Sequence, residues 1–226
     1  MKKNLQTMSL FIMVLLGLLY ISDYNYLITA VSNIYLKGHT TAFLSDYNHF
    51  DNRKLPASMN PMPWPLHSKF NEITLSKEQE KIHFENETVA LLIIKNDSIY
   101  FEKYYDGYGV DSKSNSFSIA KSYVSALLGK AIMEGYIESL DQPVIDFIPE
   151  LTGQFASAVT VGDLASMASG QKWDEAYYSP FSVTTAAYFV KDLATVILEQ
   201  PINETPGKKY EYKSGTTQLL GMVITN

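Results

Sequence analysis

Cysteine is absent from the 226 residues, which excludes disulfides, thiolate catalysis, Cys-ligated zinc or iron–sulfur centres, and anchoring through a lipidated cysteine. Histidine is scarce. His39, His49, His67 and His83 all precede residue 84 and lack a helical metal spacing such as H-E-x-x-H, so no His-based metal site is expected. Basic residues are too few for a nucleic-acid footprint: 18 Lys and Arg against 24 Asp and Glu leave a net charge of −6. With 12 Gly and 9 Pro, neither a collagen-like rod nor a disordered tail fits. What is present, 46% hydrophobic and 13% aromatic residues, describes a globular chain. At ~150 residues per domain it has room for one or two domains.

The first 27 residues read as an address to a membrane. Lys2 and Lys3 precede an uncharged run from Met8 to Ile21. Fourteen residues at ~1.5 Å each make ~21 Å of helix, short of a ~30 Å hydrocarbon core, which suits a secretory signal. The nearest small-x-small site, Ala30-Val-Ser32, lies well beyond the run, so an uncleaved anchor with its lysines kept inside stands beside a cleaved peptide. Either implies an exported chain, periplasmic or on the extracellular face. A buried core helix is the remaining alternative.

Residues 28–86 are rich in Tyr, Asn and Pro. Asn60-Pro-Met-Pro-Trp-Pro65 can continue neither a helix nor a central strand, and the stretch from residue 22 to 85 reads as an irregular, extended leader. A domain is expected over 87–226. Thr88–Lys95 predicts a strand apolar enough to be covered on both faces, Asn96-Asp97 a two-residue turn, and Ser98–Tyr104 a returning strand. From Ser118 to Glu134 the apolar spacing becomes helical, and this helix is expected to be central and buried, stopped by Gly135. Thr160-Val-Gly-Asp163 has the form of a capping box for a helix closed at Gly170. More helix is expected between Thr184 and Gln200, then a turn at Pro206-Gly207, an extended Lys209–Tyr212, and a last helix from Thr216.

Two constellations carry chemistry. Ser118-Ile-Ala-Lys121 sets a hydroxyl and an amine ~60° apart on one helix face. Serine needs a base to become a nucleophile. A lysine in the first turn of an apolar helix meets the positive end of the helix dipole, which disfavours the ammonium and suits it to that role. The Ser118 N–H is also placed to stabilise an oxyanion. The spacing alone is weak evidence and better fits a capping serine followed by a solvated lysine; the apolar helix behind Lys121 argues for catalysis. In the second constellation, Tyr212-Lys-Ser214, a phenol can relay a proton, and a hydroxyl two residues on, along the same side, can bind substrate or steady the amine. A core tyrosine followed by a capping serine fits those residues as well.

Four blocks occur in order: Phe117–Tyr123, Gly135–Val144, Thr160–Gly170, and Pro206–Gly215 running into Gln218-Leu-Leu-Gly221. Together they resemble the serine β-lactamase and penicillin-binding-protein superfamily, closest to its class C β-lactamase-related branch of esterases and 6-aminohexanoate-dimer hydrolase. The resemblance implies an α+β fold, an antiparallel sheet flanked by helices with a helical region carrying Tyr212. It also implies acylation at Ser118, Lys121 as base partner, Tyr212 as proton relay, and no metal or organic cofactor. Ser214 stands where many members have asparagine, which favours amide or ester hydrolysis over β-lactam turnover and places Ser214 among the substrate-binding residues. Trp173 and Asp174 would border the pocket by the same analogy, although a packed tryptophan is an equal alternative.

The resemblance further implies a Lys/His-x-Gly strand well after the tyrosine motif, and no such segment follows Tyr212 in this sequence. A C-terminally truncated chain with an incomplete sheet is therefore expected, lacking one oxyanion donor worth ~10²–10³ in rate. The rival to an exported serine hydrolase is a non-catalytic or decayed family member, tethered to the membrane and binding peptidoglycan-like ligands. The hydrolase requires the hydroxyl of Ser118, the amine of Lys121 and the phenol of Tyr212 in one hydrogen-bonded cluster.

Overall fold

The computed structural model describes residues 2–226, with side chains from residue 6 onward, and divides into two compact units. Lys2 and Lys3, the basic flank of the N-terminal run, have side chains outside the described residues.

The smaller unit spans residues 47–115. A hairpin forms its centre: β1 (Ala90–Lys95) pairs antiparallel with β2 (Ser98–Tyr104). Asn96 and Asp97 both take left-handed backbone (φ 48° and 53°), the twist that a two-residue hairpin turn needs. The expected burial of β1 on both faces is not found. Its residues alternate between exposed and half-buried, because β2 is its one ladder partner among the described residues. The 22–85 stretch is also less irregular than its composition predicts. α3 (Lys77–Glu85) starts at a reciprocal capping box between Ser76 and Gln79. The proline segment lies beside β2, with the Ile99 N–H donating to the Pro65 carbonyl at 2.8 Å. Asn71 acts as a substitute strand residue, exchanging two side-chain hydrogen bonds with the Glu102 backbone.

The larger unit comprises residues 1–46 and 116–226. α1 (Lys2–Ile21) keeps its apolar side chains exposed, Phe11 at 68% and Leu18 at 58%. Among the described residues no single helix is long and apolar enough to cross a membrane. The bent pair Gln6–Ile21 and Tyr26–Lys37, at 119°, reaches that length together. α2 (Tyr26–Asn33) is a helix inside the stretch expected to be irregular. Apart from Leu27 and Ala30 its residues are weak helix formers, and burial of Tyr26 and Ala30 within it and of Ile34 at its C-cap offsets that weakness.

The remaining helices enclose the core. A 3₁₀ turn at Phe117–Ile119 leads into α4 (Ala120–Met133), followed by α5 (Val161–Ala165), α6 (Val183–Phe189), α7 (Leu193–Leu198) and α8 (Ser214–Thr225). Leu128, Val144, Ile148, Val161, Leu164, Ile197, Ile202 and Leu219 form a contiguous buried cluster. α8 packs on both α4 and α5, and its Thr216, Leu219, Leu220 and Val223 are buried. α4 is not the fully buried helix its sequence suggests: Tyr123 and Leu127 are exposed, and Leu128 alone is buried along it. Gly135 ends this helical segment with φ 80°, as expected. α5 is shorter than predicted, because Met167 turns left-handed (φ 58°) before Gly170 is reached. The helix expected between Thr184 and Gln200 is two short ones.

The capping box at α5 is reciprocal: Thr160 Oγ1 accepts from the Asp163 N–H, and Asp163 accepts from the Thr160 N–H. Thr160→Ala is expected to cost about 1 kcal/mol, with Thr160→Ser retaining most of the stability, read as urea-midpoint shifts at constant slope.

Candidate active site

The site lies within the larger unit, where three stretches of chain converge. Ser118 belongs to the 3₁₀ turn and Lys121 to the first turn of α4. Phe117, just before the serine, holds φ 44°, a left-handed conformation that costs a non-glycine residue ~1 kcal/mol or more. The turn leaves Ser118 exposed, and Lys121 reaches back from half-buried surroundings to put Nζ 3.3 Å from Ser118 Oγ. From the third stretch, the Tyr212 hydroxyl donates to Ser118 Oγ at 2.7 Å. Lys121 Nζ also stands 5.0 Å from the Tyr212 ring centroid, within cation–π range.

Tyr212 owes its position to the extended segment that enters α8. The Glu211 N–H donates to the Met167 carbonyl at 2.8 Å, which is why the early end of α5 matters here. Lys213 points the opposite way. It is buried, donates to the Gln171 carbonyl at 2.7 Å and pairs with Glu211, so the amine at the site is that of Lys121. Hydrogen bonds from Lys209 and then Lys213 hold the Glu211 carboxyl down at about 2.

Ser214 is the hub of a second layer. Its hydroxyl accepts from Lys121 Nζ at 3.1 Å and donates to Glu175 Oε1 at 2.6 Å, while its backbone N–H donates to Glu175 Oε2 at 2.7 Å. Trp173 Nε1 donates to the same Oε2 at 2.7 Å, and the Tyr177 hydroxyl donates to Oε1. Partial burial works to raise the Glu175 pKa, but the bonds from Ser214, Tyr177 and Trp173 outweigh it and hold the carboxyl below its usual value. For Tyr177, burial first and the bond to Glu175 second push the phenol up to about 12. The arrangement is a continuous polar chain: Glu175, Ser214, Lys121, Ser118, Tyr212.

The structure therefore gathers Ser118, Lys121, Tyr212 and Ser214. Trp173 is packed against the start of α8, where a Cβ added to Gly215 would lie 2.2 Å from its ring. Its indole supports Glu175. Asp174 does not join the cluster; its carboxylate accepts from the Ala176 N–H and its carbonyl from Thr184, so it shapes its own loop. Glu175 is the residue that sequence reasoning missed. Trp173, Glu175 and Tyr177 recur at two-residue spacing, the pattern that puts side chains on one side of an extended segment, and Asp174 falls on the other.

Comparison with known proteins places this geometry in a family. The Beta-lactamase family model matches residues 83–226, well over half of the chain, and the chain belongs to that family. It is 26% identical over 148 residues to Protein flp of Staphylococcus aureus strain COL, covering 61% of this chain and 29% of that protein. It is 30% identical over 95 residues to the 6-aminohexanoate-dimer hydrolase of Paenarthrobacter ureafaciens, covering 42% of this chain and 24% of that enzyme. The match thus spans under a third of the length of either relative. A Bacillus anthracis structure bearing the name 6-aminohexanoate-dimer hydrolase superposes with a TM-score of 0.55 at 17% identity, over 91% of this chain and 55% of that one, a likeness of fold.

Because the folded state depresses the Glu175 pKa, its contribution to stability is present above the unfolded value of ~4.3 and is lost as pH falls through the lower folded value. Glu175→Gln is expected to cost about 2 kcal/mol at pH 7, through lost charge-assisted bonds. The gap between the urea midpoints of wild type and variant should shrink as the solution is acidified below ~4.3.

Proposed function

We propose that this chain carries the nucleophile of an exported serine hydrolase that cleaves an amide or ester through an acyl-enzyme on Ser118. The observation that carries this reading is the 2.7 Å contact between the Tyr212 hydroxyl and Ser118 Oγ, with Lys121 Nζ beside the same oxygen. Ser118 Oγ attacks the carbonyl carbon and its proton passes to the Lys121–Tyr212 pair. The tetrahedral intermediate collapses, the C–N or C–O bond breaks, and the departing amine or alcohol takes a proton from Tyr212. Water, giving a proton to the same pair, then attacks the acyl carbon; the C–Oγ bond breaks, the carboxylic acid leaves, and the pair returns the proton to Ser118 Oγ. Ser214 and Glu175 hold Lys121 in place, and the Ser118 N–H is one oxyanion donor.

Membership of the family and the name of the Paenarthrobacter relative support amide chemistry. Ser214 in place of an asparagine supports it too, as its hydroxyl is committed to Lys121 and Glu175. Export rests on Lys2, Lys3 and the apolar run that α1 leaves exposed.

A fluorophosphonate is expected to add to the peptide containing Ser118, and Ser118→Ala to abolish the adduct. Lys121→Ala and Tyr212→Phe should each slow labelling by about 10²–10⁴, the range of a lost acid–base group. No adduct on the folded chain would leave the non-catalytic binder in its place. In cells, the full chain should fractionate with membranes or the exported pool, and loss of residues 1–27 should return it to the cytoplasm; an unchanged distribution would refute export.

A further inference from the structure

The larger unit contains a cavity of about 270 Å³ that shares two residues with the active site. One is Phe117, which precedes the nucleophile, and the other is Tyr177, which donates to Glu175. Its far wall comes from residues 30–42, including Ala30, Ile34 and Ala42, a stretch that lies before the part of the chain matched by the family model. That wall is anchored. The Tyr26 hydroxyl donates to the Pro180 carbonyl at 2.9 Å, and the Tyr188 hydroxyl donates at 2.8 Å to the fully buried carboxylate of Asp46.

The chemistry of the lining is one-sided. No charged side chain lines the cavity, and four of its eight hydroxyls are spent within the protein. Thr184 donates to the Asp174 carbonyl at 2.6 Å, Thr185 to the Ser179 carbonyl at 2.8 Å, Tyr188 to Asp46 and Tyr177 to Glu175. An ammonium or carboxylate placed there would leave water without an opposite charge to pair with. An alkyl or aromatic group would lose nothing polar and would gain the burial of its surface. At roughly 30 Å³ per water-sized group, the space holds about nine such groups.

We propose that this cavity is the subsite for an uncharged, apolar part of the substrate, a straight alkyl chain of about six to eight carbons or a ring of similar size. On this assignment the N-terminal segment sets specificity for a catalytic centre built elsewhere in the chain. The assignment rests on Ser118 being the acylated nucleophile only for its link to turnover; the binding itself does not require chemistry.

Two series on the full chain test it. The affinity of neutral amides, acetamide through octanamide, is read by NMR shifts or by calorimetry. The rate of Ser118 labelling is read with methyl through octyl fluorophosphonates by mass spectrometry. Both should rise by about three- to fourfold per methylene, the gain of burying one CH₂, and level off near eight carbons. 6-Aminohexanamide, which carries an ammonium, should bind at least tenfold more weakly than octanamide. Ala42→Trp, which fills the cavity, should flatten both slopes. Octanamide binding no tighter than acetamide, or a labelling rate indifferent to chain length, would overturn the subsite. Chain-length-dependent amide binding without labelling of Ser118 by any probe would overturn the acyl-enzyme and leave the subsite standing.

Discussion

A carboxylate that accepts four hydrogen bonds connects the parts of the site. Glu175 takes two from Ser214, one from Trp173 and one from Tyr177, and through Ser214 it reaches the amine of Lys121. Leaving the acceptor out would strand the donors of α8 and of the 173–177 loop in a partly buried place, where an unmet polar group costs ~1–3 kcal/mol. The same bonds fix the entry of α8 and therefore the segment that carries Tyr212. Position and charge are coupled, since the ionised form of Glu175 is the one that receives all of these donors.

Strain and close packing supply the rest. Phe117 is held left-handed, a conformation that persists only where surrounding structure over-determines it, and the serine that follows is left exposed beside two donors. Gly215 allows the Trp173 ring to lie on the backbone of α8, which a side chain would prevent. Beneath this, the buried cluster around Leu164, Ile197 and Leu219 gives α5, α7 and α8 a fixed base. Ser118 and Tyr212 thus stand at the entries of α4 and α8, while the loop that carries Glu175 also lines the apolar cavity.

Much of this was legible in the residues. The hairpin turn at Asn96-Asp97, the cap at Thr160 and the stop at Gly135 are local signals, each dictated by a backbone conformation or an orphan donor that few residues can satisfy. The cap at Ser76 was equally local but lay in a strongly polar stretch that suggested no helix. α2 had no local signal, because its stability comes from what Tyr26, Ala30 and Ile34 bury against. Burial itself misled: β1 and α4 are apolar enough for a central place, yet their outward faces are exposed among the described residues.

By itself the sequence determined which chemical groups were available, the three-residue spacing that lets Lys121 reach Ser118, and the four ordered blocks that lie within the stretch matched by the Beta-lactamase family. These follow from side-chain identity and helix geometry, which act over a few residues. Tertiary structure alone decided that Tyr212, 94 residues away, would donate to Ser118, that Glu175 rather than Asp174 would face the site, and that residues 30–42 would wall a cavity beside it. Those outcomes depend on which face of each segment the packing of α4, α5 and α8 turns inward, a choice made by the whole buried cluster together.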